Sequence, residues 1–207
     1  MIEPFVSAAI TFFVVIDPPG CVPIFVSLTR GAEAARRRML AVRSVAIAAC
    51  ILLFFGVLGE DLLHALGITL AAFRIAGGIM LFLIALEMVF EKRTARRESR
   101  VQEVTASPEV EDISVFPMAI PMIAGPGSIA SVMLLMGRSN GLAESLVVLA
   151  ALGAILLLTL VALFAGGALM RMTGPKVEAM ITRILGVILA ALAAQFVVDG
   201  IRTSFSL

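Results

Sequence analysis

The chain has no tryptophan and no tyrosine, a single histidine and two cysteines. Cys21 and Cys50 both sit in apolar surroundings, without the spacing of a metal knuckle, and read as small hydrophobes rather than a disulfide or a metal site. His64 stands beside Glu60 and Asp61 and reads as a solvated loop residue. There is no HExxH, no phosphate-binding glycine loop and no GxSxG. The chain therefore reads as a non-enzyme with no cofactor, and any pumping it does must draw on an ion gradient. Charge is also scarce. Only 15% of residues are charged and the net charge is +1, so no basic surface calls for nucleic acid. The missing Trp and Tyr leave any aromatic belt at a membrane interface to phenylalanine alone.

What the chain does have is apolar sequence. The hydrophobic fraction is 60% and the mean hydropathy +1.08, well above the roughly 45–50% of a soluble domain. Six apolar segments run about Pro4–Leu28, Leu40–Leu63, Leu70–Phe90, Ile113–Met136, Ser145–Met170 and Val177–Ile201. At about 20 residues per crossing these predict an all-α, polytopic membrane protein of six spans in one domain, residues 1–207. The start, MIEPFVSAAITFF, lacks a basic region and carries Glu3, so the first span is expected to stay in the mature protein.

Lys and Arg near the span ends set the orientation. Arg30, Arg36, Arg37, Arg38, Arg43, Lys92, Arg93, Arg96, Arg97, Arg100, Arg171 and Lys176 fall in loops 1, 3 and 5, against only Arg138 and Arg202 on the other side. Loops 1, 3 and 5 are therefore expected in the cytoplasm and both termini outside. The third loop, about residues 91–112, mixes charges of both signs and reads as a linker between two halves, about 1–92 and 113–207.

The halves resemble each other. Arg-Ile-x-Gly-x-Ile begins at Arg74 and again at Arg183, an offset of 109, and Pro19-Gly20 returns as Pro126-Gly127 at 107. Gly67 and Gly174 also differ by 107. A unit of three spans crosses an odd number of times, so the second copy must be inverted. A 3+3 inverted repeat with spans 1 and 4 interrupted is the pattern of secondary transporters.

Both interruptions are chemically distinctive. In IDPPGCVPIF, Pro18, Pro19 and Pro23 lack an N–H, and Asp17 is pushed out of the helical region by the proline after it. Asp17 lies about thirteen residues into the span, roughly 20 Å deep. A carboxylate there is costly unless compensated. It would cap the following half-helix, exchange a proton or another cation such as sodium coupled to transport, or do both. In FPMAIPMIAGPGSIASV, the step Gly125-Pro126-Gly127-Ser128 would expose the first N–H groups of a half-helix to an anion. Gly127, Ser128 and Ile129 are the candidate partners of a solute carboxylate, with Asp17, Pro18, Gly20, Gly125 and Pro126 completing the site; the alternative is a proline kink relieved by packing. Four charges fall inside apolar runs. Arg74 with Asp199 and Glu87 with Arg183 would neutralise each other, or the arginines would snorkel to headgroups. Gly77-Gly78, Gly166-Gly167 and the alanines from Ala190 to Ala194 read as close helix packing.

Taken together, IDPPGCVPIF, FRIAGGIMLF, FPMAIPMIAGPGSIA and ITRILGVILAALAAQFVVDGI resemble the MarC family of bacterial inner-membrane proteins over essentially the whole chain. The family is described as six-spanning, belongs with the LysE-type exporters and is also called a neutral amino acid transporter family. Its Asn/Asp-Pro-x-Gly motif is matched by Asp17, Pro18 and Gly20, and its Ala-Gly-Pro-Gly motif by Ala124, Gly125, Pro126 and Gly127. The resemblance implies transport of a small neutral amino acid or similar zwitterion across the bacterial inner membrane. Its partners would be the solute, a coupling ion (proton or sodium) and the lipid bilayer. A homodimer is compatible with a bundle this small. The alternatives are a non-transporting structural or regulatory membrane protein and a passive small-solute channel.

Overall fold

The computed structural model describes residues 2–90 and 112–205, with the side chains of 167–178 left aside. It is helical throughout. In chain order the elements are α1 (Ile2–Ile16), α2 (Pro18–Leu28), α3 (Ala34–Ala65), α4 (Leu70–Val89), α5 (Ser114–Ile123), α6 (Pro126–Met136), α7 (Leu142–Phe164) and α8 (Gly166–Phe205). Helices α1 and α2 form one apolar span of 27 residues, while α5 and α6 form a span bent by 52°. With α3, α4, α7 and α8, that makes five spans, or six with the bent pair.

The exterior is apolar where a soluble protein would be polar. Phe54, Val57, Leu83, Leu157, Val161, Ile184 and Val187 are all exposed. Such a surface is stable against acyl chains, and the helices satisfy their own backbone groups as lipid demands. The broken first span lies innermost. Of its most apolar stretch 67% is buried, against 28% for α4 and 39% for α7. Its Phe12, Ile16 and Phe25 share a core with Leu52, Met118, Ile123 and Leu152, all fully buried.

Helices α4 and α8 pack antiparallel along their length, and glycine makes that possible. A Cβ on Gly78 would lie 2.9 Å from the Ala193 carbonyl oxygen, and one on Gly200 at 2.9 Å from that of Ala71. Neither backbone can yield, so close approach requires glycine. The α3–α4 turn follows from capping. Gly67 takes φ 70°, the Ile68 N–H donates to the Leu63 carbonyl (2.9 Å), and Thr69 Oγ1 accepts from the Ala72 N–H (3.2 Å).

Two expectations change. The fifth loop is instead helical, since α8 runs from Gly166 to Phe205 through Gly174 and Pro175. The Leu, Met, Arg, Glu and Ala around that Gly-Pro step are strong helix formers and outweigh it. Gly67 and Gly174 are accordingly not equivalent, one being a left-handed turn and the other helical. The linker 91–111, with Lys92, Arg93, Arg96, Arg97 and Arg100, lies outside the described residues, as do the side chains of Arg171 and Lys176.

Candidate functional site

The first break is one residue wide. Asp17 adopts φ 57°, ψ 65°, a left-handed conformation that Asp tolerates better than most residues. Its N–H still donates to the Phe13 carbonyl (2.9 Å) and its own carbonyl accepts from the Cys21 N–H (3.1 Å), so it both ends α1 and begins α2. The carboxylate caps α2, with Oδ1 accepting from the Gly20 N–H at 3.2 Å. That bond takes Gly20 away from its usual acceptor, the Ile16 carbonyl, which instead accepts from the Cys21 thiol (3.5 Å). Pro18 and Pro19 fill the first helical positions, where a missing N–H costs least. Asp17 is 2% exposed.

The second break is wider. Phe116 and Ile120 are extended inside α5, each preceding a cis proline, Pro117 and Pro121. The remaining bonds reach five residues back, as from the Ala124 N–H to the Ala119 carbonyl (2.9 Å). The bend falls at Ala124 and Gly125, and a Cβ on Gly125 would collide with the Pro121 carbonyl oxygen, so only glycine fits there. Helix α6 then starts at Pro126 with no side chain capping it. Its first helical bond runs from the Ile129 N–H to the Gly125 carbonyl (3.0 Å). The Ile129 N–H is therefore occupied and is not a donor for a solute, contrary to the sequence expectation. The two N–H groups without a helical acceptor are those of Gly127 and Ser128, both buried.

The two breaks adjoin. A Cβ on Gly127 would stand 3.2 Å from Val15 Cγ1, two residues before Asp17, and 2.6 Å from Ile84 Cδ1 on α4. Gly127 is thus also a packing glycine, and a valine there would disturb the fold as well as any ligand. Pro18, Gly20 and Gly125 are buried, Ile129 is half-buried, and Pro126 is exposed. The matching geometry of the half-helices sharpens their one difference. Each has 11 residues and begins with proline, at Pro18 and Pro126; Asp17 precedes one and Gly125 the other. One half-helix carries its own carboxylate, and the other has none.

The expected pair of Arg74 with Asp199 is not formed. Asp199 ion-pairs with Arg138, which also stacks on Phe196 with its guanidinium carbon 4.4 Å from the ring centroid. Gln195 Nε2 donates to the other carboxylate oxygen of Asp199 (2.7 Å). Arg74 turns to the end of α6 and donates to the Gly137 carbonyl (3.0 Å), with Thr203 Oγ1 at 3.5 Å. The reason is position: Arg138 follows directly on α6, whose unpaired terminal carbonyl draws Arg74 and leaves Asp199 to its neighbour. Burial pulls the Arg138 guanidinium below its ordinary range, and Asp199 opposes that pull. Glu87 on α4 and Arg183 on α8 come level, since Gly186 packs against Met88 and Val89.

At the opposite end of the broken span, Asp112 ion-pairs with Arg43 of α3 (2.7 Å). Its carboxyl lies below the usual range chiefly because the Ser114 hydroxyl donates to it, with the Ser114 N–H (3.0 Å) and Arg43 adding to the effect. Sequence reasoning treated Arg43 and Arg138 only as topology signals and passed over Asp112. Their places directly at the ends of spans 2 and 4 were the available clue. It also passed over Ser131, which is fully buried and whose Oγ has no hydrogen-bond partner.

The MarC family integral membrane protein model matches residues 2–205. The chain is 36% identical to a UPF0056 membrane protein of Methanocaldococcus jannaschii, over 96% of each chain. It is 35% identical to the UPF0056 inner membrane protein YhgN of Escherichia coli, over 95% of each, and 34% identical to the UPF0056 membrane protein YvbG of Bacillus subtilis, over 97% of this chain and 95% of that one. No solved structure matches. The resemblance carried by the two Pro-Gly breaks and the Arg-Ile-x-Gly repeats therefore extends over almost the full length, and the chain belongs to the MarC family of integral membrane proteins.

Proposed function

We propose that this protein is a secondary transporter of a small neutral amino acid or similar zwitterion, driven by a proton or sodium gradient. The observation that carries the reading is the uncapped start of α6, with Gly127 and Ser128 buried beside the end of α1. A helix start presents N–H groups and a partial positive charge. In the first half that demand is met by Asp17; in the second, the solute's carboxylate would meet it, at Gly127 and Ser128. Asp17 remains the candidate for the solute's ammonium group or the coupling cation.

The packing supports two exchangeable halves. Span 1 touches span 5 and span 4 touches span 2; spans 3 and 6 pack on each other, as do 2 and 5, and 1 and 4. Exchanging 1 with 4, 2 with 5 and 3 with 6 maps the first two of these pairs onto each other and each of the other three onto itself, as a two-fold repeat requires. Asp17 and Ser128 are each 2% exposed, which suits an occluded state between two open ones. Under this reading the protein sits in the bacterial inner membrane, with both termini periplasmic.

Uptake of L-alanine into proteoliposomes tests the proposal. A transporter saturates and follows an imposed proton or sodium gradient. Uptake that rises linearly with concentration would mean a channel, and none at all a structural protein; either result refutes the proposal.

A further inference from the structure

Three charges meet where α4 begins, α6 ends and α8 nears its end, and they do not cancel. Arg138 is paired with Asp199 and repelled by Arg74, so two guanidiniums share one carboxylate. Neither arginine is saturated. Arg74 donates from Nη2 to the Gly137 carbonyl (3.0 Å) and from Nη1 to Thr203 Oγ1 only at 3.5 Å, while its Nε is buried and has no hydrogen-bond partner among the described residues. Among the same residues Arg138 donates from Nη2 alone. Its half-buried guanidinium stacks on Phe196, and taking a cation out of water without a full countercharge is costly. The linker leaves α4 at Val89 and residues 167–178 open α8, so the charges of both lie roughly 20–30 Å along a helix from the cluster, at the other end of the bundle.

The cluster borders the apolar exterior. Gln195, which donates to Asp199, belongs to an exposed stripe of α8 that continues through Val198, Arg202 and Phe205 at spacings of three and four. Its depth is that of lipid headgroups. Arg74 lies four residues, about 6 Å, inside the start of α4, and Asp199 six residues, about 9 Å, before the end of α8.

We propose that Arg74 and Arg138 bind the phosphate of an anionic phospholipid whose acyl chains lie along the exposed stripe of α8. A phosphodiester carries one negative charge, which neutralises the one unmatched guanidinium, and the planar fork of arginine fits its two free oxygens. A zwitterionic lipid brings its own cation and leaves the excess in place. Inorganic phosphate has no chains to cover Val198 and Phe205. The site is separate from the start of α6, since Gly137 is ten residues or about 15 Å from Gly127, and it does not depend on the transporter reading.

The test is native mass spectrometry of the detergent-solubilised protein titrated with phosphatidylglycerol, phosphatidylcholine or inorganic phosphate, with melting curves for each variant. Wild type should bind one phosphatidylglycerol about 10-fold or more tighter than phosphatidylcholine. R74Q should lose about 10-fold, the removal of a charged donor, whereas R36Q, which alters an exposed arginine at the start of α3, should bind as wild type does. D199N gives the sign that a merely structural cluster would not. It removes the competing carboxylate, so it should bind phosphatidylglycerol several-fold tighter and recover with that lipid part of the melting temperature it loses in detergent alone. That variant decides the matter even where R74Q fails to fold. Equal binding of the two lipids, an R74Q protein that folds and binds as wild type does, an R36Q loss as large as that of R74Q, or weaker binding by D199N would each overturn the proposal. Inorganic phosphate that displaces phosphatidylglycerol at equal concentration would overturn it too, by assigning the site to a free anion.

Discussion

Consider Asp199→Asn. In the native protein Asp199 joins three elements: it neutralises Arg138 at the end of α6, accepts from Gln195 on α8, and offsets the mutual repulsion of Arg138 and Arg74. The Arg138 and Asp199 side chains are 33% and 28% exposed, so the pair is neither a surface salt bridge nor a fully buried one. Exposed pairs contribute about 0–1 kcal/mol, and removing one member of a buried pair costs about 3–5 kcal/mol. An intermediate loss of about 2 kcal/mol follows, because arginine does not shed its proton to relieve the burial. For a chain of this size that lowers the melting temperature by roughly 4–8 °C. The assay is thermal unfolding of the detergent-solubilised protein across a double-mutant cycle. Coupling between positions 138 and 199 should be about 1–2 kcal/mol, and the swapped pair Arg138→Asp/Asp199→Arg should recover part of the loss. A D199N protein that melts with wild type refutes the reasoning. So does a coupling between Arg74 and Asp199 as large as that between Arg138 and Asp199.

Other consequences are as direct. Asp17→Asn should keep the fold within about 0.5 kcal/mol, since Asn caps and takes the left-handed conformation as readily, whereas Asp17→Ala should lose about 2 kcal/mol from the cap and the backbone together; melting curves distinguish the two. If Asp17 couples an ion, Asp17→Asn should also flatten the pH dependence of uptake. Gly78→Ala should destabilise strongly, by about 1–3 kcal/mol, because the Ala193 carbonyl and the Val197 N–H block its Cβ, while Gly153→Ala, with nothing within 4 Å, should be neutral or stabilising by about 0.5–1 kcal/mol. Asp112 has a depressed carboxyl pKa in the folded protein, so it contributes stability above the ordinary carboxylate range and loses it as pH falls through the lowered value. Asp112→Asn should therefore remove part of the stability difference between neutral pH and about pH 3 in acid-unfolding curves.

The membrane class, the span count and the location of both breaks were legible in the sequence because each rests on a local rule. Apolar runs of about 20 residues need a bilayer, and proline cannot donate to its own helix. What was not legible depends on side chains from distant segments. Arg74 and Asp199 do come to the same level on α4 and α8, since a Cβ on Gly200 would meet Arg74 Cβ at 3.1 Å, but α6 ends between them and supplies Arg138. Nothing in the order of residues fixes that third helix. Gly174-Pro175 looked like a loop because propensity is a weak prior within one turn, and the helix formers on both sides prevailed. In the second break the sequence points to N–H groups exposed at the step Gly125-Pro126-Gly127-Ser128. The structure assigns Gly125 and Gly127 to close contacts with Pro121 and Ile84, leaving the amides, rather than empty volume, as the feature open to a solute. The missing hydrogen bond of Ser131 is visible only in three dimensions.

The central claim is that a solute carboxylate caps α6 where Asp17 caps α2, and a single spectrum addresses it. Pro-Gly steps occur in this chain only at Pro19-Gly20 and Pro126-Gly127. Protein labelled with carbonyl-13C proline and 15N glycine therefore gives two selected amide signals, one for each break. On titration with L-alanine the Gly127 amide should shift saturably and downfield, as an amide does when it donates to a carboxylate, while Gly20, already bonded to Asp17, should move little. A Gly127 signal that stays in place while the protein demonstrably binds L-alanine would contradict the account.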